Sequence, residues 1–304
     1  ELEISNLPDQ SQTFVNRRFK YTHGYGITLT TVSEFTSEGL PNLLIKDIPP
    51  KSAYLSLEVK KPQIYYGELT QSPVVANSKE TELDYPSGEK NVYVHYQGQG
   101  GVPLLNLWRK FLFGWKFDGT RFFLSDYPRK ESRIMFHRKI RDRVHTLAPF
   151  LRLDEDPYTV LVDGELYWIM DAYTTSAHYP YSEIISPEQT GPRSTPRERY
   201  ESIQELGSLR GINYVRNSVK VVVNAYNGST RFYVFDPNDP VIQVWERVFP
   251  ELFKKREDMP QELFSHVRYP SDMLLVQGLM YAKYHMTDPT VFYNQEDLWI
   301  RATE

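Results

Sequence analysis

The stretch from Pro157 to Glu183, PYTVLVDGELYWIMDAYTTSAHYPYSE, decides the fold that the sequence predicts. Two apolar runs meet at Asp163-Gly164, a pair that favours the type I′ turn of a β-hairpin. Apolar side chains occupy both faces of this hairpin, so we expect it to lie centrally in a sheet that is covered on both sides. The apolar run ends at Asp171, and we expect Tyr173 to Tyr181 to emerge at the sheet edge.

A second hairpin is predicted around Asn227-Gly228, within the segment VKVVVNAYNGSTRFYVFD. Asn-Gly is also a preferred type I′ pair, and a two-residue turn there would set Val223 opposite Phe232. One face of this hairpin is apolar. The other face is predicted to be partly solvated because it carries polar residues, namely Lys220, Asn224 and Arg231.

Apolar residues recur at helical spacing in three parts of the chain. The first helix is predicted to follow the glycine-rich loop Gly98 to Gly101, which we interpret as a flexible connector rather than an anion site. Its apolar stripe comprises Leu104, Trp108, Phe111, Leu112 and Trp115. The second helix is predicted over Ser132 to Leu151. The third part begins at Asp239, a predicted N-cap followed by Pro240, and the tail from His285 is predicted to be irregular.

These patterns predict an α+β fold, with a mixed or antiparallel sheet built from hairpins, inserted helices and a helical C-terminal part. Residues 1–13 are predicted to form an N-terminal arm, and residues 14–304 a single large domain. Residues 186–211 are rich in Pro, Gly, Ser and charge, which indicates a mobile insertion. We do not place a domain boundary there because strand-like sequence resumes directly after it.

The segment 132–151 is the most basic in the chain, with Arg133, Arg138, Lys139, Arg141 and Arg143. The net charge of the whole chain is −4, however, and no aromatic residues alternate with these basic ones. We therefore favour a solvated helix face over a nucleic-acid site, and predict no nucleic-acid partner. Attraction to anionic lipid headgroups or to a protein partner stays open for this segment.

Composition excludes several kinds of chemistry. The chain has 0 Cys, which rules out disulfides, thiol nucleophiles and thiolate metal sites. Its 7 His residues form neither an HxH nor an HExxH pattern, so we predict no metal and no cofactor. No apolar run approaches the roughly 18 residues that span a bilayer. Because neither end carries a targeting feature, we interpret the chain as a piece of a longer protein.

The dense group of Tyr, Thr, Ser and His after the first hairpin is the leading candidate site. Tyr combines a large apolar ring with a polar tip, which suits a ligand surface as well as a sheet core. The surface also includes the stretch YTHGYG at residues 21–26. The predicted binding surface comprises Tyr21, His23, Tyr25, Asp171, Tyr173, Thr174, Thr175, His178, Tyr179 and Tyr181.

Several long stretches, taken in order, carry a family resemblance. They are YTHGYG (21–26), GLPNLLIKDIPP (39–50), GGVPL (100–104), APFLRLDEDPY (148–158), LYWIMDAYTTSAHYPYSE (166–183), NYVRNSVKVVVNAYNG (213–228), RYP (268–270) and YHMTDPTVFYNQEDLW (284–299). Together they resemble uncharacterised protein family 0182, which consists of large multipass membrane proteins of bacteria. The resemblance implies transmembrane helices followed by a large soluble region outside the cytoplasm, of which this chain is the main part. It implies no activity and no catalytic residues.

Three functional hypotheses follow from these observations. The first is an extracytoplasmic ligand-binding or protein-interaction module at the cell envelope, whose partners are its own transmembrane region and an envelope glycan, peptide or lipid. The second is an envelope hydrolase or transferase that uses His178 or His23 with a carboxylate such as Asp171. The third is a structural platform without a ligand. A cleft that contains a His-carboxylate hydrogen bond would favour the enzyme.

Overall fold

The computed structural model describes residues 13–117, 119–185 and 209–299. Helix and strand account for 27% and 30% of the protein, and several small antiparallel sheets alternate with helices. This confirms the predicted α+β class. The predicted N-terminal arm, except Thr13, and residues 186–208 of the predicted mobile insertion lie outside the described residues.

The strands are numbered in chain order. They are β1 (Gly24–Tyr25), β2 (Leu29–Phe35), β3 (Pro41–Lys46), β4 (Lys51–Ser52), β5 (Gln63–Ile64), β6 (Val74–Ala76), β7 (Glu82–Ser87), β8 (Lys90–Val94), β9 (Val102–Pro103), β10 (Arg133–Met135), β11 (Arg152–Leu153), β12 (Tyr158–Val162), β13 (Glu165–Ser176), β14 (Tyr214–Asn224), β15 (Thr230–Val234) and β16 (Phe253–Lys255).

The helices follow the same order. They are α1 (Leu107–Phe117), α2 (Thr120–Leu124), α3 (Ile140–Leu147), α4 (Pro240–Val248), α5 (Gln261–Phe264), α6 (Ser271–Tyr284) and α7 (Pro289–Asn294). A π-helix covers Asn16–Lys20, and short 3-10 turns cover Leu55–Leu57 and Arg256–Asp258. Within the described ranges, every helix is too short or too polar to cross a membrane.

The chain divides into two compact units. Unit 1 comprises Glu1–Leu147, Thr159–Trp168 and Val222–Thr230. Unit 2 comprises Ala148–Tyr158, Ile169–Val221 and Arg231–Glu304. The long strands β13 and β14 contribute residues to both units. The single domain predicted for residues 14–304 stays a prediction.

Unit 1 is built from small sheets, in which β1 pairs with β5, β2-β3-β4 and β6-β10-β9 form three-stranded sheets, and β7 pairs with β8. One hydrophobic core of unit 1 comprises Phe19, Val75, Leu104, Phe122 and Ile134. The six-stranded sheet has the order β11-β13-β14-β15-β16, with β12 also paired to β13 and with β16 parallel to β15. A hydrophobic core of unit 2 comprises Tyr173, Ile185, Leu209, Ile212, Met273 and Val276.

The first predicted hairpin is present, with β12 and β13 as its strands. Asp163 has φ 54° and Gly164 has φ 83°, the left-handed conformation that a type I′ turn requires at both central residues. Strand β13 is buried from Trp168 through Thr174, so it is covered on both faces as predicted. The expected exposure is wrong at Tyr173 and Thr174, because β13 continues as a buried strand beyond Asp171 and becomes partly exposed only at Thr175.

The second hairpin is also present, but its register differs from the prediction. The Asn224 NH donates to the Ser229 carbonyl at 3.0 Å, and the Phe235 NH donates to the Ser218 carbonyl at 2.8 Å. This register sets Val221, rather than Val223, opposite Phe232. The loop is longer than two residues because the Asn224 side chain accepts from the backbone NH groups of Tyr226 and Asn227 at 3.0 and 2.9 Å.

The polar face predicted for this hairpin is not solvated as a whole. Lys220 and Asn224 are buried, and only Arg231 of the three polar residues is exposed. The Asn224 amide donates to the Glu165 carboxylate at 2.9 Å, which satisfies its NH₂ group inside unit 1. Buried polar side chains of this kind need a specific partner, and alternation along a strand does not reveal that partner.

The predicted basic helix over 132–151 is wrong in its first half. Residues 133–135 form strand β10, His137 has φ 48°, and helix α3 begins only at Ile140. The solvated face is wrong too, because Arg138 is buried and donates to the carbonyls of Tyr65, Ser72 and Thr22 at 2.5 to 2.8 Å. A guanidinium has five N–H donors and satisfies several backbone carbonyls at once.

The glycine-rich loop before α1 is packed, not a flexible connector. Gly101 has φ 73°, and a Cβ there would lie 2.7 Å from the Ile134 carbonyl oxygen. The Arg133 guanidinium donates to the carbonyls of Gln99, Gly100 and Gly101 at 2.6, 2.6 and 3.1 Å. An anion site needs backbone NH groups that point at the anion, whereas here carbonyl oxygens point at a cation.

Candidate functional site

The predicted binding surface falls into two groups, one in each unit. Tyr21, His23 and Tyr25 belong to unit 1. The remaining predicted residues, Asp171, Tyr173, Thr174, Thr175, His178, Tyr179 and Tyr181, belong to unit 2.

His23 forms the His-carboxylate hydrogen bond that the enzyme hypothesis requires. Its Nε2 lies 3.2 Å from Asp84 Oδ1, and its Nδ1 lies 2.9 Å from the Thr22 hydroxyl. Gln63 donates to the same Asp84 oxygen at 2.9 Å. The His23 side chain is completely buried, and its ring packs 4.7 Å from that of Tyr65. A general base must reach the proton that it abstracts, so this geometry holds the ring in place without opening it to a substrate.

Glu82 lies beside His23 and organises the polar core of unit 1. Its Oε1 accepts from the backbone NH groups of Asn77 and Tyr96, both at 2.9 Å. Its Oε2 accepts from the Thr22 hydroxyl at 2.6 Å and from the Tyr65 hydroxyl at 2.8 Å. Burial, followed by the negative charge of Glu82, holds the pKa of Tyr65 well above its usual range, so Tyr65 remains a donor. The carboxylate is fully buried and satisfied, which indicates a structural role.

Tyr21 and Tyr25 lie at the half-buried rim of this cluster. The Tyr25 ring packs 5.0 Å from that of Tyr85. Burial, with a smaller effect of the Asp84 charge, raises the pKa of Tyr25 above its ordinary value. Tyr25 therefore remains protonated and packs at the edge of this cluster.

Asp171 in unit 2 forms a buried ion pair with Lys220, and both side chains are almost inaccessible to solvent. The Lys220 ammonium also donates to the Arg268 carbonyl at 3.3 Å. Burial raises the pKa of Asp171, and the attraction of Lys220 opposes this effect without cancelling it. Asp171, the carboxylate proposed to assist His23 or His178, thus already has a partner. Because it is buried, it does not belong to an exposed binding surface.

Tyr173 and Thr174 are likewise parts of the core of unit 2. The Tyr173 hydroxyl donates to Asp154, and burial followed by this bond raises the Tyr173 pKa far above its usual value. The Thr174 hydroxyl donates to Asp239, the N-cap of α4, which also accepts from Ser218 and Tyr214, each at 2.6 Å. These hydrogen bonds explain how polar residues are buried in β13. The predicted exposure of Tyr173 and Thr174 is therefore wrong.

The remaining residues of the second group lie on an exposed loop, which we call the tyrosine loop (residues 176–182). Thr175, just before it, is half-buried, whereas His178, Tyr179 and Tyr181 are exposed. The Tyr179 ring stacks on that of Tyr214 at 5.6 Å. Tyr181 has φ 59°, a left-handed conformation that is uncommon for a residue other than glycine.

Asn213, which the sequence analysis did not include, fixes the tyrosine loop. Its amide NH₂ donates to the carbonyls of Tyr179 and Ser182 at 2.9 and 3.1 Å, and its amide oxygen accepts from the Tyr179 NH at 2.9 Å. Its backbone NH donates to the Ser176 carbonyl at 2.9 Å, and its carbonyl accepts from the Ser182 hydroxyl at 3.1 Å. Asn213, which lies more than 30 residues from the loop in sequence, therefore fixes the loop conformation through its side chain and its backbone.

This arrangement brings aromatic rings and polar groups together on one exposed loop. Two tyrosine rings stack beside exposed hydroxyl and imidazole groups, which can contact an apolar face and donate hydrogen bonds at its edge. In the described part of the chain, no group of three or more His, Asp or Glu side chains could hold a metal ion. His178 forms a hydrogen bond there only through its backbone NH, which donates to the Ser176 hydroxyl at 3.1 Å.

Comparison with known proteins gives a consistent result. The model of the uncharacterised protein family UPF0182 matches residues 1–304. A UPF0182 protein of Sulfurovum sp. (strain NBC37-1) is 48% identical over 300 residues, which cover 98% of this chain and 31% of that protein. A UPF0182 protein of Trichodesmium erythraeum (strain IMS101) is 44% identical, over 100% of this chain and 32% of its own length. No solved structure matches.

Proposed function

The chain belongs to the uncharacterised protein family UPF0182, and from this premise we propose that it is a binding or interaction module at the cell envelope. The chain spans about a third of the length of the relatives it matches. We propose that it lies on the extracytoplasmic face of a multipass membrane protein, with the transmembrane region of that longer protein as one partner. An envelope glycan, peptide or lipid is the proposed second partner.

The tyrosine loop is the observation that supports this proposal. An exposed loop that is already fixed by Asn213 has little conformational freedom left to lose when a ligand binds. Tyrosine supplies a large amphipathic contact area with few rotatable bonds. The left-handed backbone of Tyr181 also fits a functional surface, since such conformations persist where surrounding structure maintains them.

A glycan is the ligand class that we place first. The stacked rings of Tyr179 and Tyr214 offer an apolar platform to the C–H face of a sugar. Exposed side chains of the tyrosine loop, including His178 and Ser182, can bond to hydroxyl groups at the edge of that sugar. A peptide or a lipid headgroup presents fewer such hydroxyl groups to this surface.

The alternative of a hydrolase or transferase receives less support from the geometry. His23 has a carboxylate partner, but its ring is buried, and Asp171 is paired with Lys220. The exposed His178 lies on the tyrosine loop, and neither Asp171 nor Glu82 is exposed. A binding role for the tyrosine loop does not require His23 or Asp171 to become exposed.

Thermal-shift and calorimetric titrations of the 304-residue chain with soluble envelope glycans, short peptides and lipid headgroups test the proposal. We expect one class, first the glycans, to raise the melting temperature and to release or absorb heat. Tyr179→Ala and Tyr181→Ala should abolish that signal. Tyr293→Ala is the matched control, since Tyr293 is 87% exposed in the same unit and lies outside the tyrosine loop.

Three outcomes would contradict the proposal. A ligand signal that survives Tyr179→Ala and Tyr181→Ala would place binding elsewhere. The absence of a signal with every ligand class would favour the structural platform. Substrate turnover that is lost in His178→Ala, with folding intact, would instead support the enzyme.

A further inference from the structure

Helix α1 has apolar side chains around most of its circumference, which is unusual for a helix at a protein surface. Phe113 and Phe117 lie on its inner side and pack against the hydrophobic core of unit 1 that contains Phe19 and Phe122. The side chains of the predicted apolar stripe, by contrast, are exposed, except that of Leu104, which precedes the helix and is buried. The apolar stripe that the sequence predicts on α1 is therefore an exposed face of the helix.

The exposed apolar side chains form one continuous surface, which we call the outer face. It comprises Leu105, Leu107, Trp108, Phe111, Leu112, Trp115, Phe123 and Leu124. Phe111 connects its parts, with ring centroids 5.8 Å from Trp108, 6.4 Å from Trp115 and 5.8 Å from Phe123 of α2. Trp108 is 65% exposed and Trp115 is 81% exposed. Exposed patches of contiguous large apolar side chains mark interaction sites.

The helical pair that carries the outer face is basic, although the chain as a whole has net charge −4. From Gly98 to Ser125 the sequence contains Arg109, Lys110, Lys116 and Arg121, and Asp118 is the single acidic residue. Lys116 and Arg121 are exposed. The local charge is thus opposite in sign to that of the whole chain and complementary to an anionic surface.

We propose that the outer face docks onto the headgroup region of an anionic lipid bilayer. Helices that lie in this region carry Trp, Phe and Leu on one side and Lys or Arg beside them. Tryptophan suits the position because its ring is apolar while its indole NH needs a polar partner, and both conditions are met at headgroup level. The surface belongs to unit 1 and is independent of the tyrosine loop in unit 2.

Charge and side-chain chemistry favour lipid over two other occupants. A second copy of the chain would bring two basic faces together, which like-charge repulsion opposes. A dry apolar protein surface would leave the indole NH groups of Trp108 and Trp115 without hydrogen-bond acceptors. Phosphate groups of lipids supply both the negative charge and the acceptors.

Vesicle binding by the 304-residue chain tests this inference. Flotation with phosphatidylcholine vesicles is compared with flotation in which part of that lipid is replaced by phosphatidylglycerol. We expect binding to the anionic vesicles to be at least tenfold tighter, on the order of what two exposed basic residues contribute, and to weaken as salt is added. Lipids brominated near the headgroup should quench tryptophan fluorescence, and Trp108→Phe with Trp115→Phe should remove most of that quenching.

Matched variants connect the binding to the outer face. Trp108→Ala with Trp115→Ala should lower the vesicle partition coefficient about tenfold or more, because two large apolar side chains no longer insert. Lys116→Glu with Arg121→Glu should remove the preference for anionic lipid. The control is Val32→Ala with Leu55→Ala, which shortens side chains that are 95% and 92% exposed in the same unit and should leave binding unchanged.

Several results would overturn the inference. They are the absence of vesicle binding, equal binding to neutral and anionic vesicles, and binding that the alanine variants of Trp108 and Trp115 retain. Concentration-dependent self-association that these variants abolish, without vesicle binding, would identify a second copy as the occupant. Circular dichroism of each variant is the control that checks whether the chain remains folded. Loss of the tyrosine-loop ligand signal would leave the vesicle result unaffected, so the two proposals fail separately.

Discussion

The outer face of α1 and the segment Asp171 to Thr174 of β13 differ in burial in the direction opposite to that which their residue types suggest. The first is rich in Trp, Phe and Leu, and it is exposed. The second contains an acid, a tyrosine and a threonine, and it is buried. Composition thus reports what a surface is able to contact, whereas burial depends on which other residues are available to cover it.

Specific partners explain the buried segment. Asp171 has Lys220, Tyr173 has Asp154, and Thr174 has Asp239. Each partner lies 19 to 65 residues away along the chain. For the outer face of α1, an external anionic surface is the proposed partner.

The largest expected effect that tests this contrast comes from Lys220→Met. Removal of the ammonium leaves the Asp171 carboxylate buried without its counterion, and we expect the free energy of unfolding to fall by about 3–5 kcal/mol. Urea denaturation at neutral pH measures the loss. Because burial already raises the pKa of Asp171, protonation at acidic pH should reduce the difference from the unmodified chain. The double variant Asp171→Asn, Lys220→Met should recover part of the stability, and a cost below about 1 kcal/mol for the single variant would contradict the buried pair.

Tyr173→Phe should have the next largest effect. The phenyl ring fills the same space, but buried Asp154 loses the hydroxyl that donates to it, so we expect a destabilisation of about 1–3 kcal/mol. The same denaturation experiment measures it, with Tyr179→Phe as the control on the exposed loop. Equal effects of the two substitutions would show that Tyr173 does not depend on this bond.

Asp239 provides a smaller effect that depends on pH. Although burial opposes them, hydrogen bonds from Ser218, Thr174 and Tyr214 hold the pKa of Asp239 below its ordinary value of 3.8. The unfolded chain therefore takes up the proton first, so the stability contributed by Asp239 is present above that value and is lost as pH falls through the lowered pKa. Melting temperatures measured across this acidic range should decline less steeply for Asp239→Asn. A parallel decline would mean that other carboxylates dominate.

Leu112→Ala should have the smallest effect on stability. Leu112 lies on the outer face, so its truncation exposes no core, and we expect a change within about 0.5 kcal/mol in denaturation experiments. The matched substitution Leu104→Ala removes a buried side chain and should cost about 2–5 kcal/mol. Similar costs at both positions would mean that the outer face is covered in the isolated chain.

Local sequence signals predicted a good part of the fold. Asp163-Gly164 predicted the first hairpin, and Asp239-Pro240 predicted the start of α4, where the Asp239 side chain accepts from the NH groups of Val241 and Ile242. The same signal at Asp288-Pro289 begins α7, in a tail that was predicted to be irregular, with the Asp288 side chain bound to the NH groups of Thr290 and Val291. That helix was predictable, since the cap chemistry is identical.

The candidate site was less predictable. His178, Tyr179 and Tyr181 are exposed as the sequence suggested, but Asn213, which fixes their loop, lies 34 residues from Tyr179. The motif that contains Asn213 carried the family resemblance, and this was the only signal pointing to it. Placement of His23 depended on Asp84, which lies 61 residues away.

The sequence by itself determined the α+β class, the Asp163-Gly164 turn, the N-caps at Asp239 and Asp288 and the apolar faces, because each depends on residues within a few positions of one another. The tertiary structure alone decided which faces are covered and which charged groups are paired. Covering the outer face or pairing Asp171 requires groups distant along the chain, and neither alternation nor helical spacing contains that information. The chemistry of a surface is therefore local, and its exposure is not.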